Sequence, residues 1–173
     1  MLSDYLVEIV ESRASQLKDE WINRARSNDS VPDFEELKGT EFTEHIGKMY
    51  GQLGKYMEET HETEELVQFF IEYGDFCKKQ GISSYEILSM ITLSRHTLWE
   101  YIMERETVSS ALEWQQLTEF WQRVMKFFDK HAYFVMVGYE EGTEISKESE
   151  NTISKYLSSL SLGSLPEVSD EAV

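Results

Sequence analysis

Residues 78–102 read KKQGISSYEILSMITLSRHTLWEYI, a stretch that stops one helix and starts another. Gln80-Gly81-Ile82 ends the preceding helical pattern, because glycine takes the left-handed conformation that closes a helix C-terminus without a Cβ penalty. Ser83 and Glu86 then stand three apart in the order of a capping box, where each side chain satisfies a backbone N–H of the new first turn. Leu88, Ile91, Leu98 and Ile102 follow at helical spacing and place an arginine, Arg95, on the same apolar face.

Working outward, helical periodicity persists in both directions. Leu2, Leu6, Ile9, Val10, Leu17 and Trp21 predict one first helix that dissolves at Ser27-Asn28-Asp29-Ser30 before Pro32. A second starts near Thr40, with Glu41 and Glu44 favourably placed against its N-terminal dipole, and carries Phe42, Ile46, Met49, Leu53 and Tyr56. A third displays Leu66, Phe69, Phe70, Tyr73, Phe76 and Cys77 up to Gly81. After the second capping box, Ser110 with Glu113, a long helix through Leu117, Trp121, Val124, Phe128 and Val135 is expected to run on, bent at Gly138 or Gly142, towards Leu157. Pro32 and Pro166 are the only prolines, and strand-like alternation is absent, so the fold class is all-α. The expected division is a helical domain over 1–157 and a flexible acidic tail or linker start over 158–173, where small, polar and acidic residues dominate.

A chain of 173 residues, 40% hydrophobic, fits one domain with a sizeable core. Its 16 Lys and Arg against 33 Asp and Glu give a net charge of -17, which repels phosphate backbones and anionic headgroups; no nucleic-acid or membrane partner is expected. The N-terminus lacks a basic region followed by an uninterrupted apolar run, and no segment approaches spanning length, so a cytoplasmic location is expected. The lone Cys77 excludes an intrachain disulfide and reads as a small core hydrophobe.

Several residues invite chemistry. Gly47, Gly51 and Gly54 stripe one side of the second helix, and since each interior glycine costs about 1 kcal/mol relative to alanine, a close helix crossing is expected there. His45 and Lys48 lie one turn apart on that helix, a spacing that would let lysine support a phosphohistidine; Met49 stands where phosphotransfer domains place glycine. His61 with Glu65, His96 with Glu100, and Glu58 with His61 are too few for the repeated ligand set of a di-iron bundle and read as solvated pairs. No nucleophile elbow, phosphate-binding glycine loop or zinc motif occurs, so no enzyme activity is expected. Arg95 on an apolar face needs a partner or an escape: either it pairs inside the core with Asp129, which interrupts the run Phe127, Phe128, His131, Tyr133 and Phe134, or it snorkels to the surface. His131, on the inner stripe of its helix between Phe128 and Val135, reads as a satisfied core histidine rather than a haem ligand, and His96 is no haem ligand either.

Gln80-Gly81-Ile82, Arg95, Trp99, Phe127-Phe128-Asp129 and Tyr139 together resemble the N-terminal sensor domain of RsbR-type stressosome proteins and related sensor kinases. The resemblance runs from the first helix to Tyr139. It implies a haem-free, globin-like helical bundle without cofactor or metal, and a non-catalytic role in which a dimer passes a signal through its last helix to an output module of STAS or kinase type. Gly81, Arg95, Trp99, Asp129 and Tyr139 are its structural or signalling candidates. No output module lies within the 173 residues, so a stand-alone relative or an excised sensor portion is expected. The alternative function is histidine phosphotransfer through His45. Val135, Tyr139, Ile145, Thr152, Ile153 and Tyr156 continue an apolar or amphipathic side and predict a homodimer built along the C-terminal helix.

Overall fold

Gly81 takes φ +76°, and the helix before it closes as a Schellman motif: Ile82 N–H donates to Cys77 O at 3.1 Å and Gly81 N–H to Lys78 O at 3.0 Å. The computed structural model describes residues 2–32, 41–59 and 63–161. Among them are seven helices and no strand: α1 Leu2–Ser12, α2 Ala14–Ala25, α3 Glu41–Met57, α4 Thr63–Lys79, α5 Ser84–Arg105, α6 Ala111–Glu141 and α7 Lys147–Ser161. The all-α bundle expected from periodicity is therefore the observed fold. No helix among the described residues is long and apolar enough to cross a membrane.

Both capping boxes form as expected. Glu86 accepts from Ser83 N–H at 2.9 Å, and Glu113 accepts from Ser110 N–H at 3.0 Å while Ser110 Oγ accepts from Glu113 N–H at 3.2 Å. The single first helix expected from the sequence is instead two, bent at Arg13 (φ -113°, ψ 13°). The bend has a packing cause: Leu6, Ile9 and Val10 face α3 and α6, whereas Leu17 and Trp21 face α3 and α5. A straight helix would present only one of these surfaces.

The centre is the pair α4 and α6, running in the same direction with Phe70 against Phe127, and Gly74 against Val135 and Tyr139. Helix α3 lies antiparallel to both. Its C-terminus is held by Arg123 of α6, whose guanidinium donates to the Met57 carbonyl, a cation meeting the negative end of the helix. Helix α2 packs across α5, with Trp21 Nε1 donating to Met90 O at 3.4 Å, Tyr101 Oη donating to Gln16 Oε1 at 3.0 Å and Arg24 paired with Glu100. The buried Ser94 returns its own hydroxyl to Met90 O at 2.9 Å, and Tyr50 Oη donates to Ser94 O at 2.7 Å, so these core polar groups are satisfied.

The long helix does not continue to Leu157. Gly142, at φ +79°, ends α6, and α7 turns back so that Tyr156 stacks on Tyr133 with ring centroids 3.7 Å apart and 11° between planes. Val135 is fully buried, and Tyr139, Ile145, Ile153 and Tyr156 pack against the chain's own core. These residues, with the exposed Thr152, were the expected dimer surface; Val135 and Tyr139 lie against Gly74 of α4, and Tyr156 lies against Tyr133 of α6. Helix α7 also extends past the expected boundary at Leu157, and residues 162–173 of the expected tail, with Pro166, lie outside the described residues.

Candidate functional site

The most unusual chemistry in the core lies where α3, α4 and α6 meet. The aromatic periodicity of α4 lines up Phe69, Phe70, Tyr73 and Phe76, and α6 contributes Phe127, Phe128 and His131. His45 of α3 enters this group. Its ring stacks on Tyr73 at 3.3 Å and 1° and on Phe69 at 4.6 Å and 13°. His131 lies 4.6 Å from the Phe70 ring and 6.1 Å from His45, centroid to centroid. A direct hydrogen bond between two imidazoles would bring their centroids to about 5 Å, so the pair is not joined.

His131 is 1% exposed and His45 7%. Neither ring nitrogen of His131 has a hydrogen-bond partner, so this core histidine is buried as expected but not satisfied, and Nε2 of His45 has no partner either; the Tyr73 hydroxyl meets the Cys77 thiol. Burial pushes the His131 pKa down to about 3, and burial, followed by the neighbouring His131 and Lys48 charges, holds His45 well below the usual histidine range. Both rings are therefore neutral at physiological pH. The Cys77 thiol, also buried, is pushed up to about 12 by desolvation, which makes it an inert core side chain rather than a nucleophile.

This cluster reaches the surface through a cleft of about 380 Å³ between α3 and α4. A second groove, of about 500 Å³, lies between α1, α2 and the end of α5. Four of its polar residues contact one another: Arg13 donates to Gln16 at 3.2 Å, Tyr101 donates to the same oxygen, and the Arg105 guanidinium sits 3.6 Å over the Tyr101 ring. The smaller cleft alone of these two opens onto a buried side chain with an unpartnered polar atom.

The residues singled out by sequence do not converge on one site. Gly81 sits in the α4–α5 turn. Trp99 is half-buried against Trp121 at 4.8 Å, and Tyr139 is half-buried beneath Lys78, whose Nζ is 5.5 Å from the ring and donates to Glu140 O at 3.3 Å. The expected buried Arg95–Asp129 pair does not form. Asp129 is exposed on α6, where burial and then the Asp129 charge push the nearby Tyr156 phenol up. Arg95 is half-buried on the flank of α5, the snorkelling arrangement. The cause is a rotated stripe: the inward face of α5 carries Ile87, Met90, Ile91, Ser94, Thr97, Leu98, Tyr101 and Ile102, while Leu88, seven residues before Arg95, is 43% exposed.

Histidines elsewhere assemble nothing comparable. His96 is exposed on α5, and His61 lies outside the described residues. Among the described residues no three His, Cys, Asp or Glu side chains group as a metal site. The glycine stripe of α3 is only partly a close crossing: a Cβ at Gly54 would meet Glu11 Cα at 3.1 Å and one at Gly47 the Lys18 side chain at 3.2 Å, but Gly51 faces open space. The intimate crossing is at Gly74 and Gly138, which sequence reasoning passed over or read as a bend. Their signal was the placement of a costly glycine inside each of two apolar helices.

These features define a class: an all-α bundle built on a glycine-tight helix crossing, with a histidine-centred aromatic cluster open to the surface on one side. The model of the family described as the RsbT co-antagonist protein rsbRD N-terminal domain matches residues 15–149, and the chain belongs to that family. Membership implies a stress-signalling sensor domain of the RsbR type. No curated protein and no solved structure matches the chain.

Proposed function

We propose that this domain is a non-catalytic, cytoplasmic sensor that works as a homodimer and passes its signal to an output partner or domain of STAS or kinase type. The observation that carries the reading is the family match across residues 15–149, which spans α2 to the first turn of α7. The architecture supports it in one respect: α6 runs from the α3 C-terminus, past the histidine cluster, to the Gly142 turn and α7, so a change of packing at the cluster acts on the helix that leads out of the core. Sedimentation at micromolar concentration tests the dimer. Cysteines introduced singly at Ser146 and Ser154, both exposed, in a Cys77→Ser background report whether α7 lies near the symmetry axis. A monomeric mass without position-dependent crosslinking overturns the dimer, and a coding sequence that adjoins no STAS or kinase segment weakens the output assignment.

Histidine phosphotransfer is the alternative. Lys48, exposed one turn beyond His45, favours it, and the burial of the His45 ring weighs against it.

A further inference from the structure

We propose that the α3–α4 cleft is a binding site for a small organic cation, a protonated amine carrying an apolar group. Its volume of about 380 Å³ falls in the range of small-molecule pockets. One wall is aromatic: Phe69, Tyr73 and Phe76 line it from α4, the surface that attracts an ammonium by its ring quadrupoles and its apolar group by burial. The rim is acidic. Glu41, Glu44 and Glu72 are exposed around the opening against a single cation, Lys48. The chain's overall charge of -17 adds a field that concentrates cations at the surface.

The second observation is independent of charge. His45 lines the cleft while more than nine-tenths buried, and its Nε2 has no partner in the protein. Buried polar atoms are almost always hydrogen-bonded, so an unpartnered imidazole nitrogen beside a cleft points to a partner from outside the chain. A neutral imidazole accepts a hydrogen bond from an ammonium N–H, and burial keeps this one neutral. Phe69 is half-buried, stacks on the His45 ring and lines the same cleft, so a ligand seated there meets that ring beside the imidazole. The inference goes beyond the signalling reading: binding is measured on the isolated chain, so a negative result here leaves that reading standing, and a positive one does not prove it.

The probes are benzylamine and, as its anionic counterpart, benzoate, titrated into the full chain at physiological ionic strength and followed by NMR of the histidine imidazoles and aromatic rings. Benzylamine is expected to give saturable shifts at His45, Phe69 and Tyr73, and benzoate none. Glu44→Gln with Glu72→Gln removes two exposed carboxylates, leaves the core untouched and is expected to weaken binding about tenfold. Phe69→Leu is expected to weaken it as well. The proposal is overturned if benzylamine gives no saturable shift at these rings, if benzoate shifts them equally, or if the doubly substituted protein binds as before. Shifts scattered over surface carboxylates that vanish with added salt also overturn it, because they report only the field of an acidic chain.

Discussion

Gly74 of α4 and Gly138 of α6 are reciprocal: each fits its missing side chain against the other helix's backbone. A Cβ on Gly74 would collide with the Val135 carbonyl and lie 2.7 Å from the Tyr139 nitrogen; one on Gly138 would collide with the Ile71 carbonyl and lie 2.7 Å from its carbon. Neither obstacle is a flexible side-chain end, so both helices would have to separate. Gly74→Ala and Gly138→Ala are each expected to destabilise the fold by about 3 kcal/mol or more, through overpacking at the central helix pair. Gly51→Ala, in open space on a helix, is expected to be neutral or to stabilise by about 0.5–1 kcal/mol. Urea denaturation of the three proteins tests the contrast, and a well-folded Gly74→Ala protein of native stability would contradict the crossing.

The buried histidines set an acid limit. His131 binds its proton only near pH 3 in the folded protein but near 6.5 when unfolded, so between these values the unfolded chain holds more protons and stability falls as pH falls. With each unit worth about 1.4 kcal/mol, the window amounts to several kcal/mol. His131→Leu keeps a similar volume and removes the proton site. Its stability relative to the parent is expected to rise progressively from pH 6.5 to pH 4. A constant difference across that range would mean that His131 is not buried neutral.

Glu11 gives the opposite slope. Its carboxyl hydrogen-bonds with Glu58, which, with some burial and the Glu58 and Glu8 charges, raises its pKa from 4.5 to about 7. A carboxyl raised in the folded state holds a proton that the unfolded chain releases, so this contribution is present below pH 4.5 and is lost as pH rises through 7. Glu11→Gln mimics the protonated form. It is expected to raise the melting temperature above pH 7 and to leave it unchanged near pH 4.5; equal effects at both values would show that the two carboxyls do not share a proton.

Legibility in the sequence followed the range of the interaction. Gly81, Ser83–Glu86 and Ser110–Glu113 were readable because a cap is closed by residues three to five apart, and the structure forms each one. The inward face of α5 was misassigned because its closest packing uses small Ser94 and Thr97, which hydropathy does not mark, whereas the exposed Leu88 looks like core. The return of α7 over α6 was hidden for a related reason: an apolar stripe shows that a helix is covered, and Tyr133 is only one of the surfaces that Tyr156 could have met. The His45–His131 cluster joins two helices far apart in the chain, and nothing local announces it.

The packing of His45 disfavours it as a phosphate acceptor. Transfer needs the acceptor nitrogen about 3–3.5 Å from phosphorus with an open line of approach. Nε2 of His45 is shut off from solvent, and the ring is packed face-on against Tyr73 and Phe69. A phosphoryl group there would lose its hydration among aromatic side chains, with Glu41, Glu44 and Glu72 repelling its charge and only Lys48 opposing them. Incubation with a low-molecular-weight phosphodonor, followed by intact-mass analysis under alkaline conditions, is therefore expected to leave the protein unmodified, with parent and His45→Gln chains alike. A stoichiometric label on the parent that His45→Gln abolishes would reverse this. It would require Phe69 and Tyr73 to swing clear of the imidazole, and would make phosphotransfer the better account of the domain.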